Sequence, residues 1–164
     1  ITFRFFPHKD DLYPPILEGK SGESPTDELV EQLRAAAAAS DDERVIRTVI
    51  AHIVNHLAAD PEFLRLMLHS ALEGHSFARE YRDRHFAPLH GFLREYVAAR
   101  QRAGRFRPGD PDALVRAILA VPVHHSLVEN LLPDAHARVT PQWVETFVQF
   151  VLSGLQASPS SPVR

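Results

Sequence analysis

Apolar residues along this chain recur at every third or fourth position and never alternate over a sustained run. That is the period of helices packed by one face, not of strands. Val45, Ile46, Val49, Ile50, Ile53 and Leu57 form one stripe, and Phe63, Leu64, Met67, Leu68 and Ala71 a second. Tyr81, Leu89, Phe92, Leu93 and Tyr96 form a third, on a long helix expected over about 76–102. Pro88 interrupts that helix and frees the carbonyl of Arg84, so a local bend is expected there.

The helix starts are marked by local chemistry. Asp60-Pro61-Glu62, Asp110-Pro111-Asp112 and Thr140-Pro141-Gln142 each place a capping side chain before a proline at the first helical position. The cap accepts an unpaired backbone N–H, and proline has none to leave unsatisfied. Ser24-Pro25-Thr26-Asp27 follows the same scheme, and Ser40-Asp41-Asp42-Glu43 has the spacing of a capping box, with Glu43 reaching back to Ser40. The stretch 104–109, with its glycines and proline, closes the long helix. These signals predict an all-α, multi-helix fold.

The last two helices, expected over about 111–132 and 141–156, are apolar on more than one side. The first carries Leu114, Ile118, Val121 and Val128 on one side and Val115, Leu119 and Val123 on another. The second carries Trp143, Phe147 and Phe150 beside Val144, Val148, Val151 and Leu155. A helix apolar all round is buried all round. Either one is hidden in the centre of the chain's own core, or the pair meets a second copy. The second reading is preferred for a terminal pair in a small domain. It predicts a homodimer held by a four-helix interface of Leu114, Ile118, Val121, Val128, Val144, Val148, Val151 and Leu155.

Composition narrows the class. At 164 residues the chain can bury one sizeable core. No apolar run approaches the roughly 20 residues of a membrane span, and the start does not resemble a signal segment. Membrane partners are therefore not expected, and a cytoplasmic location is. There is no cysteine, hence no disulfide framework or thiolate metal site. The net charge of −3 is not that of a phosphate-neutralising surface. The chain opens at Ile1 without an initiator methionine, and the expectation is that upstream sequence has been lost.

Ten histidines invite a metal reading, and His52 and His56 have the i, i+4 spacing to share an ion. Both lie at or beyond the edge of their apolar stripe with no third ligand indicated by spacing, so no metal and no cofactor is expected. His125 falls within an apolar stripe while its neighbour His124 points away, which makes His125 either a core or interface histidine or a pocket group. Arg82 and His85 project within the arc of Tyr81, Leu89, Phe92 and Tyr96. An arginine there either faces a cavity or snorkels to the surface. There is no glycine-rich phosphate loop, nucleophile elbow or paired-carboxylate cleft, so no enzyme is expected.

One stretch is more specific. Ile1-Thr2-Phe3-Arg4-Phe5-Phe6-Pro7-His8-Lys9-Asp10-Asp11-Leu12-Tyr13 resembles the segment of TetR-family repressors that ends the recognition helix and opens the connecting helix. Phe3 stands where the family usually has tyrosine, and Phe6, Pro7, Lys9, Leu12 and Tyr13 match its pattern. Gly104-Arg105-Phe106-Arg107-Pro108 resembles the family's approach to its penultimate helix and Phe150-Val151-Leu152-Ser153-Gly154-Leu155 its last-helix ending, less sharply. Pro14-Pro15 departs from the pattern inside the connecting helix.

The resemblance implies a ligand-responsive transcriptional repressor that binds operator DNA as a homodimer and is released by a small hydrophobic effector. Residues 1–8 would be the remnant of a helix-turn-helix head, 9–157 the effector-binding and dimerisation domain, and 158–164 a disordered tail. Thr2, Phe3, Arg4 and Lys9 would be the DNA-side residues, with Lys9 on a phosphate. The effector site is expected among Met67, Tyr81, Arg82, His85, Leu89, Phe92, Tyr96 and His125, with Arg82 or His85 taking a polar end. The competing reading is an all-α homodimeric interaction or carrier protein without DNA function. It accounts for the helices and the charge but not for residues 3–13.

Overall fold

The computed structural model describes residues 25–132 and 140–157, with side chains from Glu28 onward. The assignments to Thr2, Phe3, Arg4, Lys9, Pro14-Pro15 and the tail 158–164 lie outside them. The helices are α1 (Pro25–Ala38), α2 (Asp42–Ala59), α3 (Pro61–Glu73), α4 (Ser76–Tyr81), a π-helical turn (Arg82–Phe86), α5 (Ala87–Arg102), α6 (Pro111–Leu131) and α7 (Pro141–Leu155). The all-α expectation is confirmed: the described residues hold no strand, only an isolated bridge between Phe106 and Gln156. No helix among them is long and apolar enough to cross a membrane.

Helix starts follow the caps. Asp60 accepts from the N–H of Phe63 at 3.0 Å, Asp110 from Asp112 at 3.0 Å, and Thr140 from Trp143 at 3.1 Å. The expected capping box is shifted by one residue. Ser40 takes the left-handed conformation (φ 57°), Asp41 becomes the cap and accepts from Arg44 N–H, and Glu43 instead pairs with Arg47 at 2.6 Å. Gly74, also left-handed (φ 76°), ends α3 by donating to the Ala71 and Ser70 carbonyls.

α2 is the central helix. It packs against α1, α3, α6 and α7, and seven of its residues, including Val45, Val49, Ile50 and Ile53, are buried. The helix hidden in the core is therefore α2, whose broad apolar arc serves several neighbours at once. This corrects the picture of the terminal pair. Val148, Val151 and Leu155 of α7, with Phe147 and Leu152, pack into the same core. Ile118 is buried too, and Leu114 and Val144 are half-buried against it. Side chains held in one chain's interior cannot form the centre of an interface with a second copy. Of the eight residues expected there, Val121 is exposed and Val128 is half-buried outside that core.

α4, the π turn and α5 run contiguously from Ser76 to Arg102, as the periodicity predicts. The disturbance expected near Pro88 is a widened turn, in which Ala87 N–H donates to Arg82 O five residues back. One extra residue per turn rotates the helix before it by about 100° relative to the helix beyond it. That takes Arg82 out of the arc it would share with Phe92 and Tyr96 and brings Tyr81 and His85 inward, both buried. After α5, Phe106 folds under, 2% exposed and edge-on to Tyr96 at 5.9 Å. Arg107 N–H donates to Leu155 O at 2.7 Å and Ala157 N–H to Arg105 O at 3.1 Å, tying this linker to the end of α7.

Candidate functional site

Between α5 and α6, over α2, lies a cleft of about 530 Å³. That is within the roughly 300–1,000 Å³ of small-ligand sites. Ile53 of α2 and Leu89 of α5 supply buried apolar surface, Leu119 and Val123 come from α6, Phe86 from the end of the π turn and Ala87 from the start of α5. The polar lining consists of Arg82, His90, Arg94 and Asp112. A mostly apolar cleft with a few polar groups is the usual build of a binding site.

The polar groups are not equivalent. Arg82 and Arg94 are both exposed, but the Arg82 guanidinium is taken by Asp83, with Nε and Nη2 donating to one carboxylate oxygen at 2.9 and 2.7 Å. The Arg94 guanidinium and the Asp112 carboxylate make no hydrogen bond or ion pair among the described residues. Gly91 borders the cleft from the interior of α5, and a Cβ built there would meet nothing within 4 Å. Glycine costs a helix stability relative to alanine, and here no close packing requires it; the space beyond it is open.

A second groove of about 870 Å³ runs along the other side of α5, between it and α1, and Gly91 borders it as well. Phe92 and Tyr96 line it with parallel rings 6.1 Å apart. At its end the Tyr96 hydroxyl donates to Asp42, and Arg100 Nη2 donates to the other Asp42 oxygen at 2.5 Å. Burial first, then the bond to Asp42, holds the Tyr96 phenol well above its ordinary pKa, while the Asp42 carboxylate raises that of Arg100. This network locks the start of α2 to the end of α5.

The eight residues expected to form one effector site are therefore divided. Leu89 and Arg82 line the α5/α6 cleft, whereas Phe92 and Tyr96 line the opposite groove. Tyr81 joins Phe77 in a separate aromatic cluster against which Met67 packs. His85 is buried there with its ring 4.4 Å from Tyr81. The Tyr81 hydroxyl is 3.1 Å from His56 Nε2, and burial raises its pKa. His125 lies on α6 with its ring stacked on Trp143 at 4.4 Å and its Nε2 3.9 Å from Glu129. The π turn accounts for part of this division, by putting Arg82 in one row with Phe86, His90 and Arg94; Leu89, Phe92 and Tyr96 all lie within α5, whose two sides face α6 and α1. Sequence reasoning missed Phe86, His90 and Arg94, although with Arg82 they form a row at every fourth position. Asp112, Leu119 and Val123 are identified only by the packing of α6 on α5.

His52 and His56 stack with ring centroids 5.7 Å apart. Burial, and secondarily the His56 charge, lowers the His52 pKa. No group of three or more histidines and carboxylates that could hold a metal occurs among the described residues. On the outer surface, Val121 of α6 is 38% exposed and Phe150 of α7 is 71% exposed. A ladder of stacked rings, His125–Trp143–Phe147–Phe150, leads from α6 to that outward phenylalanine.

Compared with known proteins, the chain matches no family model and no curated protein. The resemblance of residues 1–13 to the TetR pattern stands on those residues alone.

Proposed function

We propose that this chain is the effector-binding and dimerising body of a ligand-responsive transcriptional repressor of the TetR type. In this reading the α5/α6 cleft takes a small apolar effector, and the outer sides of α6 and α7 meet a second copy. Operator DNA is contacted by residues N-terminal to Pro25. The activity is binding and release, not catalysis.

The observation that carries the reading is the position of α6. This helix gives Leu119, Val123 and Asp112 to the cleft and turns Val121 outward, two residues from Val123. Pro122, between them, has no N–H for the Ile118 carbonyl, so the helix lacks one backbone bond where it separates cleft from surface. A ligand that displaces this segment shifts the outer side chains with it, which is how small helix movements are passed to subunit interfaces. Val121 and Phe150 replace Val148, Val151 and Leu155 as the expected partner contacts.

The net charge of −3 favours the competing reading of a homodimeric carrier without DNA function. Selection from a pool of random duplexes by the natural gene product separates the two. A repressor enriches a palindromic sequence, bound with a steep salt dependence. A carrier enriches nothing.

A further inference from the structure

We propose that the α5/α6 cleft selects a singly charged carboxylic acid with an elongated apolar body, held by its carboxylate at Arg94 and His90. This rests on the reading of the cleft as an effector site and adds the chemical class of the effector. Arg82 and Arg94 both line the cleft, but Arg82 is engaged by Asp83, whereas Arg94 has no partner among the described residues. His90, one turn before Arg94, faces the same space and adds a ring nitrogen. A planar guanidinium matches a carboxylate with two parallel hydrogen bonds.

Charge sets the upper limit. Asp83 neutralises Arg82, so the lining offers one guanidinium unengaged among the described residues, Arg94, beside the Asp112 carboxylate; one negative charge complements Arg94 and a second faces Asp112. A phosphate ester or a dicarboxylate is disfavoured on that ground, and an amine is repelled by Arg94.

The remaining length of the ligand lies over Gly91 toward Phe86 and Val123, above Ile53 and Leu89. At Gly91 the rim of the cleft is open. Nothing in the protein fills the space beyond its Cα, and an interior helical position otherwise disfavours glycine.

Isothermal titration at fixed ionic strength, with decanoate, decan-1-ol, decylammonium and decyl phosphate as probes, tests the assignment. Decanoate is expected to bind about tenfold or more tightly than decanol, the margin of a charge-assisted hydrogen-bonded pair. Arg94→Gln should remove that margin and leave decanol unchanged, and Gly91→Leu, at the rim, should weaken both with the fold intact. Equal binding of acid and alcohol, tightest binding of the amine or the phosphate, or an unaffected Arg94→Gln variant overturns the proposal. If none of the four probes binds, the effector cleft itself falls with it; if decanol binds as well as decanoate, only the carboxylate assignment falls.

Discussion

Replacing Gly91 by alanine should stabilise the free protein and weaken its ligand complex. In the interior of α5 a Cβ meets no atom within 4 Å, so the substitution creates no clash. What remains is the helix preference of alanine over glycine, about 0.8–1 kcal/mol, part of it from a less flexible unfolded chain. In a domain of this size that corresponds to about 2–4 °C in melting temperature. Circular dichroism melts and urea titrations should both show it, with the midpoint raised and the m-value unchanged. Gly91 borders the cleft, so the added methyl narrows its rim, and the further stabilisation by decanoate, which scales with the logarithm of ligand over Kd, should shrink. Gly91→Leu should extend the trend. A destabilised free Gly91→Ala protein would show that the space is not open, and an undiminished decanoate shift in Gly91→Leu would show that the ligand lies elsewhere.

Asp42→Ala should cost about 3 kcal/mol by urea denaturation, the lower end for breaking a buried pair, because its side chain and that of Arg100 are only 17% and 13% exposed; a loss below about 1 kcal/mol would mean that water replaces the carboxylate. If α6 and α7 meet a second copy as proposed, Phe150→Glu should convert dimer to monomer in sedimentation with helicity unchanged, whereas Val148→Asp, which places a charge at a fully buried site, should unfold the chain; the opposite pattern would restore Val148 to the interface. His52, with its pKa lowered by burial, contributes stability that is fully present above its ordinary value of 6.5 and lost as pH falls below it, since the unfolded chain then binds more protons. Stability measured from pH 7.5 to 5 should decline, and His52→Gln should flatten the decline; an identical slope in the variant would assign it to other groups.

The element boundaries are legible in the sequence because capping is local: Asp60, Asp110 and Thr140 each act within three residues of themselves. Where a backbone angle intervenes, as at left-handed Ser40, the cap moves by one. The faces are less legible. Both stripes of α7 are visible, but which one turns inward depends on α2 occupying the centre, a tertiary fact that periodicity does not contain. In the site, the π turn shifts the register at Arg82–Phe86, so a regular 3.6-residue projection gathers residues that the fold separates. Arg82 and Leu89 can be read from the sequence. Arg94, His90 and Gly91 cannot, because a charged row and a lone glycine look like ordinary helix surface until α6 is packed beside them.

The central claim, that a ligand in the α5/α6 cleft controls DNA binding through α6, is tested most directly by fluorescence polarisation of the selected duplex bound to the natural gene product, titrated with decanoate. The account predicts that polarisation falls to that of free duplex over the concentration range in which calorimetry shows decanoate binding, and that Arg94→Gln shifts both curves together. A duplex that stays bound while the cleft fills, or a protein that selects no duplex at all, would contradict it.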